Sequence, residues 1–222
     1  MKYWMLMLLA ITSFVSKSQN TFDSSFRFYY YDQKLSMFEM MPDQDKEVVW
    51  MGDSITDGAE WSELFPGLRT LNRGISSDNT FGMLYRIGEV AKRKPVKLFL
   101  LIGINDIARN IPNEVILRNY VKLIDSIQIQ SPNTKILIQT ILPTNNVFTQ
   151  FKNHQNKTEQ IAEVNSSLKI ICQQRGLQLV DLFTAMSDAD GKLDKRYTND
   201  GLHLNGAGYQ RWKQFLLENK FL

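Results

Sequence analysis

Short, almost wholly apolar runs alternate along this chain with longer stretches whose apolar residues recur every three or four positions. The runs at Val48–Met51, Thr70–Asn72, Val96–Ile102, Lys135–Ile141 and Leu177–Leu182 predict strands, and VKLFLLI and KILIQTI read as strands covered on both faces. Helical spacing predicts helices over Phe81–Lys92, Asn113–Ser131, Thr158–Arg175 with Gly176 as its cap, and Gly206–Leu217 with Tyr209, Trp212, Phe215 and Leu216 facing inward. The aromatic- and methionine-rich stretch Phe22–Met41 predicts one more helix, packing Phe26, Tyr29, Tyr30, Leu35, Phe38 and Met41 on the body and ended by Pro42. Strands alternating with helices imply right-handed β-α-β crossovers, hence an α/β fold with a mainly parallel sheet. The polar stretch Pro143–Asn156 is long for a connection, and such loops in compact domains are often functional.

Composition narrows the class. A chain of 222 residues suits one domain, and 43% hydrophobic with 22% charged residues excludes a disordered or fibrous protein. The net charge of +3 comes from scattered lysines and arginines, which argues against a nucleic-acid partner. The single cysteine, Cys172, excludes an internal disulfide framework and a multi-cysteine metal site, and its apolar neighbours make it a buried small hydrophobe. At the N-terminus, Lys2, an apolar stretch and Ser16-Lys17-Ser18 predict a cleaved secretory signal over residues 1–18, leaving a single domain over 19–222 that is secreted or periplasmic, without a membrane anchor.

Chemistry gathers where the predicted strands end. Gly52-Asp53-Ser54-Ile55 follows the first strand and would place Ser54 at its carboxyl end, at the start of a helix. Asn72-Arg73-Gly74-Ile75-Ser76, Gly103-Ile104-Asn105-Asp106 and Asp200-Gly201-Leu202-His203 occupy comparable places. A serine hydroxyl needs a base, and an imidazole held by a carboxylate supplies one. Of the two histidines, His203 has Asp200 three residues before it, whereas His154 lies in the polar loop and reads as a surface residue. The N–H groups of Ser54 and Gly74 and the amide of Asn105 are candidate donors to a developing oxyanion. Asp53 and Asp106 read as loop-holding acceptors.

With these four blocks in order, the chain resembles the SGNH hydrolases of the GDSL esterase superfamily, over essentially its whole length after residue 18. Ser-Ile stands where the motif name has Ser-Leu. The resemblance implies a three-layer α/β/α sandwich of flavodoxin-like form, Ser54 as nucleophile, His203 as base and Asp200 as orienting acid. It also implies Ser54, Gly74 and Asn105 as the oxyanion hole, with no metal or organic cofactor. The tracts Asn72–Ser76 and Tyr197–Tyr209 are most similar to bacterial acetylhydrolases related to the platelet-activating-factor acetylhydrolase catalytic subunit, relatives of carbohydrate O-acetylesterases.

The expected activity is hydrolysis of small acyl esters, acetyl foremost, on a carbohydrate or another small-molecule substrate, by a monomer or homodimer. Asp57, Trp61, Ile75, Ile104 and the 143–156 loop are the expected pocket walls, with Trp61 either stacking on a sugar face or, as often for an aromatic on a helix, serving as plain packing. A lipid-directed esterase, lysophospholipase or thioesterase is the alternative within the class. A glycan-binding protein on a hydrolase scaffold is the alternative outside it, although Ser54, His203 and Asp200 are all present. A metallophosphoesterase would need more histidines than two.

Overall fold

The computed structural model describes residues 22–222; the signal expected over 1–18 lies outside them. Five parallel strands form one sheet: β1 (Val48–Gly52), β2 (Thr70–Gly74), β3 (Lys97–Leu101), β4 (Lys135–Gln139) and β5 (Gln178–Val180), in the order β2-β1-β3-β4-β5. The chain leaves β1 to one side for β2 and returns past it to β3, so the sheet reverses its winding between β1 and β3. Crevices at such a reversal are where α/β sheets bind ligands.

Helices cover both faces, which explains why the central strands are apolar on consecutive positions. Trp50 and Phe99 are register partners on β1 and β3, and their rings stack at 4.2 Å. That face is closed by α9 (Gly206–Glu218), which packs on the short α8 (Leu182–Met186) and whose Trp212 meets Trp50 edge-on and donates its indole N–H to Gln139 on β4. The opposite face is covered by α4 (Thr80–Lys92), α6 (Asn113–Gln130) and α7 (Thr158–Arg175), packed side by side. Tyr120 of α6 donates to the carbonyl of Ile102, and Asn165 of α7 bonds both backbone groups of Ile141, pinning the ends of β3 and β4. Gly176 adopts a left-handed conformation (φ 63°) that ends α7 as its position predicts. Among the described residues no helix is long and apolar enough to cross a membrane.

Two expectations are corrected. The aromatic helix α1 spans Tyr29–Met40 and does not begin at Phe22; the Asp23 side chain accepts from the Ser25 N–H, giving the backbone a local alternative to helix. Within α1 the buried residues are Tyr31 and Phe38, which cluster with Ile75, while Tyr29 is 79% exposed.

Candidate active site

The first strand ends at Gly52 and the chain turns at Asp53, which caps the short helix α2 (Ser54–Asp57) by accepting the Ile55 N–H at 3.0 Å. The turn leaves the Ser54 side chain at the carboxyl edge of the sheet, with its N–H finding no acceptor among the described residues. Its Oγ lies 2.9 Å from Nε2 of His203, although 149 residues separate the two. On the far side of the ring, Nδ1 lies 2.8 Å from Asp200 Oδ2. Asp200 Oδ1 accepts the backbone N–H groups of Leu202 and His203. Burial works to raise the Asp200 carboxyl, but these hydrogen bonds, the ring's foremost, outweigh it and hold the group below its usual value. An ionised Asp200 places the ring proton on Nδ1 and leaves Nε2 to accept from the serine hydroxyl. The three side chains therefore form one hydrogen-bonded line able to withdraw a proton from Ser54.

Asn105 enters from the next strand. Two residues beyond β3, Gly103 has φ 122°, a backbone that a residue with a Cβ rarely adopts, and α5 (Ile104–Ala108) begins directly after it. One amide proton of Asn105 goes to the carbonyl of Asp78 at 2.9 Å, and Oδ1 accepts from Nε2 of His154 at 3.1 Å. The carbonyl partner fixes which end of the amide is nitrogen. Arg86 holds this region from below: it pairs with Asp78 at 2.8 Å and donates to the carbonyls of Gly52 and Arg73, the ends of β1 and β2. Asp106 accepts the N–H and hydroxyl of Thr80, the loop-holding role its position suggests. The third nominated donor, Gly74, gives its N–H to Asn72 Oδ1 at 2.8 Å, so it serves an oxyanion only by sharing that bond.

Beside Ser54 opens a shallow cleft of about 380 Å³, walled by Tyr30, Asp57, Ser76, His203, Leu204 and Tyr209. A larger cleft of about 550 Å³ lies at the opposite end of the strands, by Val48, Arg69 and Lys97, away from these groups. Asp57 lines the small cleft as the central acceptor of a network: Tyr30 Oη at 2.8 Å, Lys34 Nζ at 2.6 Å, and both the N–H and the hydroxyl of Ser76.

Three expected wall residues are placed elsewhere. Trp61 is 2% exposed, stacked at 3.9 Å on Trp50 with its indole N–H on the carbonyl of Thr56, so it offers no face to a sugar. Ile75 is sealed beneath α1 with Tyr31 and Phe38, and Ile104 is buried in the main core. The 143–156 loop contributes differently from expectation. His154 is not a free surface residue but is half-buried against Asn105, and Phe151 meets the rings of both His154 and His203 edge-on. Burial, reinforced by the neighbouring His203, Arg109 and Lys157, pushes His154 down to about 4 and keeps it neutral. Tyr30, Lys34, Arg86 and His154 carry no local signal in the sequence; the scarcity of histidine is the one hint for His154. Cys172 is buried and free, its thiol pushed up to about 11 by burial.

Comparison with known proteins extends this geometry. The model of the GDSL-like lipase/acylhydrolase family matches residues 50–211, from Trp50 of β1 through His203 into α9. The platelet-activating factor acetylhydrolase IB subunit alpha2 of Homo sapiens is 29% identical over 177 residues, covering 76% of this chain and 73% of its own. A solved structure from Streptococcus pneumonia, provisionally named a platelet activating factor, superimposes with a TM-score of 0.79 at 28% identity over 86% of this chain and 92% of its own. A GDSL-like lipase from Bacteroides thetaiotaomicron shares the fold, with a TM-score of 0.75 at 21% identity over 86% and 98% of the two chains.

Proposed function

The chain belongs to the GDSL-like lipase/acylhydrolase family and is a hydrolase acting on esters, and from that premise we propose that it is an exported serine esterase removing small acyl groups, acetyl foremost, from a carbohydrate. The observation that carries the reading is the hydrogen-bonded line from Ser54 through His203 to Asp200, opening onto a small polar cleft.

In this mechanism Ser54 Oγ attacks the acyl carbonyl as its proton passes to His203 Nε2. The tetrahedral oxyanion receives the N–H of Ser54, the second amide proton of Asn105 and a share of the Gly74 N–H. His203 then returns the proton to the departing alcohol oxygen, leaving an acyl group on Ser54. Water follows the same route: His203 takes its proton, the hydroxyl adds to the acyl carbon, and collapse releases the acid and restores the serine. Throughout, Asp200 keeps the imidazole in one tautomer and balances its charge when doubly protonated.

The cleft supports the substrate class. Tyr30, Asp57 and Ser76 present polar oxygens near Ser54, whereas Leu204 is the one aliphatic side chain lining the cleft and offers little surface to a long acyl chain. Tyr30 Oη and Ser76 Oγ already donate to Asp57 and keep free lone pairs, a setting that favours hydroxyl donors such as those of a sugar. Export rests on the apolar leader over residues 1–18. The name of the alpha2 relatives favours a second reading in which the acetyl group is removed from platelet-activating factor.

Acetate release from a panel of acetylated sugars, sialic acids and xylan fragments, run beside nitrophenyl esters of increasing chain length, tests the proposal. Preference for octanoate or longer over acetate would overturn the small-acyl reading, and turnover by Ser54→Ala would overturn the nucleophile.

A further inference from the structure

His154 stands 49 residues from Asn105 in sequence, on the 143–156 loop, and its ring nitrogen meets the side-chain oxygen of that asparagine. The contact has only one chemical form. Asn105 Nδ2 faces the carbonyl of Asp78, which can only accept, so Oδ1 faces His154 and can itself only accept. Nε2 of His154 therefore carries a proton and donates it. Three contacts hold the imidazole in place. Its residue's backbone N–H donates to the Phe151 carbonyl, its carbonyl accepts the Thr144 hydroxyl, and the Phe151 ring stands edge-on to it at 5.9 Å.

We propose that His154 is a positioning residue for the oxyanion hole, clamping Asn105 from behind so that its second amide proton points at the reacting carbonyl. This rests on the serine-esterase reading above. The Asp78 carbonyl alone leaves the amide free to rotate about its side-chain bonds, and a second hydrogen bond from the opposite end fixes its plane. Accepting a proton at Oδ1 also polarises the amide and strengthens Nδ2–H as a donor, the cooperative effect of chained hydrogen bonds. The demand on Asn105 rises as negative charge develops on the substrate oxygen, so the contribution of His154 falls on the transition state more than on substrate binding. Phe151, which also meets the His203 ring at 4.8 Å, couples the clamp to the general base through one side chain.

A double-mutant cycle on nitrophenyl acetate hydrolysis tests the inference, with Ser54→Ala as reference. Deleting an oxyanion donor outright lowers kcat by about 10²–10³, so His154→Phe, which only loosens that donor, is expected to lower kcat by about tenfold with KM within about twofold. His154→Gln, whose amide N–H can replace Nε2–H, is expected to recover most of the loss. In an Asn105→Ala background His154→Phe is expected to cost less than about twofold further, because the clamped group is gone. Should Phe disturb folding, judged by the thermal melt, His154→Ala replaces it in the same cycle. Wild-type kcat in the His154 variant, a full multiplicative loss on top of Asn105→Ala, or no rescue by Gln would each overturn the clamp. Those results with an inactive Ser54→Ala leave the esterase reading intact; an active Ser54→Ala would instead remove that reading.

Discussion

Gly74 donates its backbone N–H to Asn72 Oδ1 at 2.8 Å, and the same asparagine reaches the carbonyls of Asp57 and Ala59 through Nδ2. The end of β2 is thereby tied to the segment following Ser54, with no room between them. A Cβ on Gly74 would lie 2.1 Å from the backbone nitrogen of Asp57 and 2.5 Å from its Cα, and backbone atoms cannot yield as a flexible side chain can. Gly74→Ala is expected to cost more than about 3 kcal/mol, with most activity lost alongside. Asn72→Ala, which removes three hydrogen bonds and adds no clash, is expected to cost about 1–3 kcal/mol. Denaturant titrations check both, and a Gly74→Ala protein as stable as the parent would show that the close approach is not rigid.

Asp200 Oδ1 is already occupied by two backbone N–H groups, which determines what Asn would do in its place. The amide oxygen of Asp200→Asn would stay with those donors, turning the NH₂ toward His203 Nδ1. The ring would then carry its proton on Nε2, where it cannot accept from Ser54. A kcat loss of about 10³–10⁴ with little change in the melt is the expected outcome, as wrong-tautomer variants of such triads show. A variant within tenfold of wild type would mean that the base is oriented by something else.

The parts of this protein legible in the sequence are those whose signal is local. Strands β1, β3 and β4 show as apolar runs, and Ser54, Asn105 and His203 each follow a strand or its loop in a recognisable block. What escapes is tertiary. Asp57 takes its two α1 partners, Tyr30 and Lys34, from 27 and 23 residues away, and the His154–Asn105 pair is more distant still. The burial of Trp61 is hidden for a different reason: α3 (Trp61–Leu64) is one turn long, too short for periodicity to reveal which side faces the core.

The placement of Trp61 has a direct consequence. Its indole is stacked against Trp50, meets Trp212 edge-on at 5.0 Å and donates to the Thr56 carbonyl. Trp61→Ala is expected to destabilise by about 3–5 kcal/mol, the usual range for emptying a large aromatic from a core. Trp61→Phe should fold and keep the KM for acetylated sugars within twofold to threefold. A tenfold rise in that KM, specific to sugar esters, would put Trp61 back in contact with substrate.

Asp53, prominent in the Gly-Asp-Ser string, sits 1% exposed under Ser54 and carries charge at a cost. Burial, aided by the nearby Asp78 and Asp106 and opposed by the Ile55 N–H, pushes its carboxyl up to about 7. A carboxyl raised in the fold binds protons there that the unfolded chain has released. Its stabilising contribution is complete below about pH 4 and is lost as pH rises through 7. Asp53→Asn keeps an acceptor oxygen for Ile55 while remaining neutral at every pH. The variant should therefore gain on wild type between pH 5 and pH 8, by on the order of 2–4 kcal/mol for a displacement of this size. Urea unfolding at the two pH values measures the difference. Activity should survive within about tenfold, because Asp53 accepts a backbone hydrogen bond and transfers no proton to substrate. An equal stability difference at both pH values would show that Asp53 is already ionised in the fold, and would overturn burial as the control on its charge.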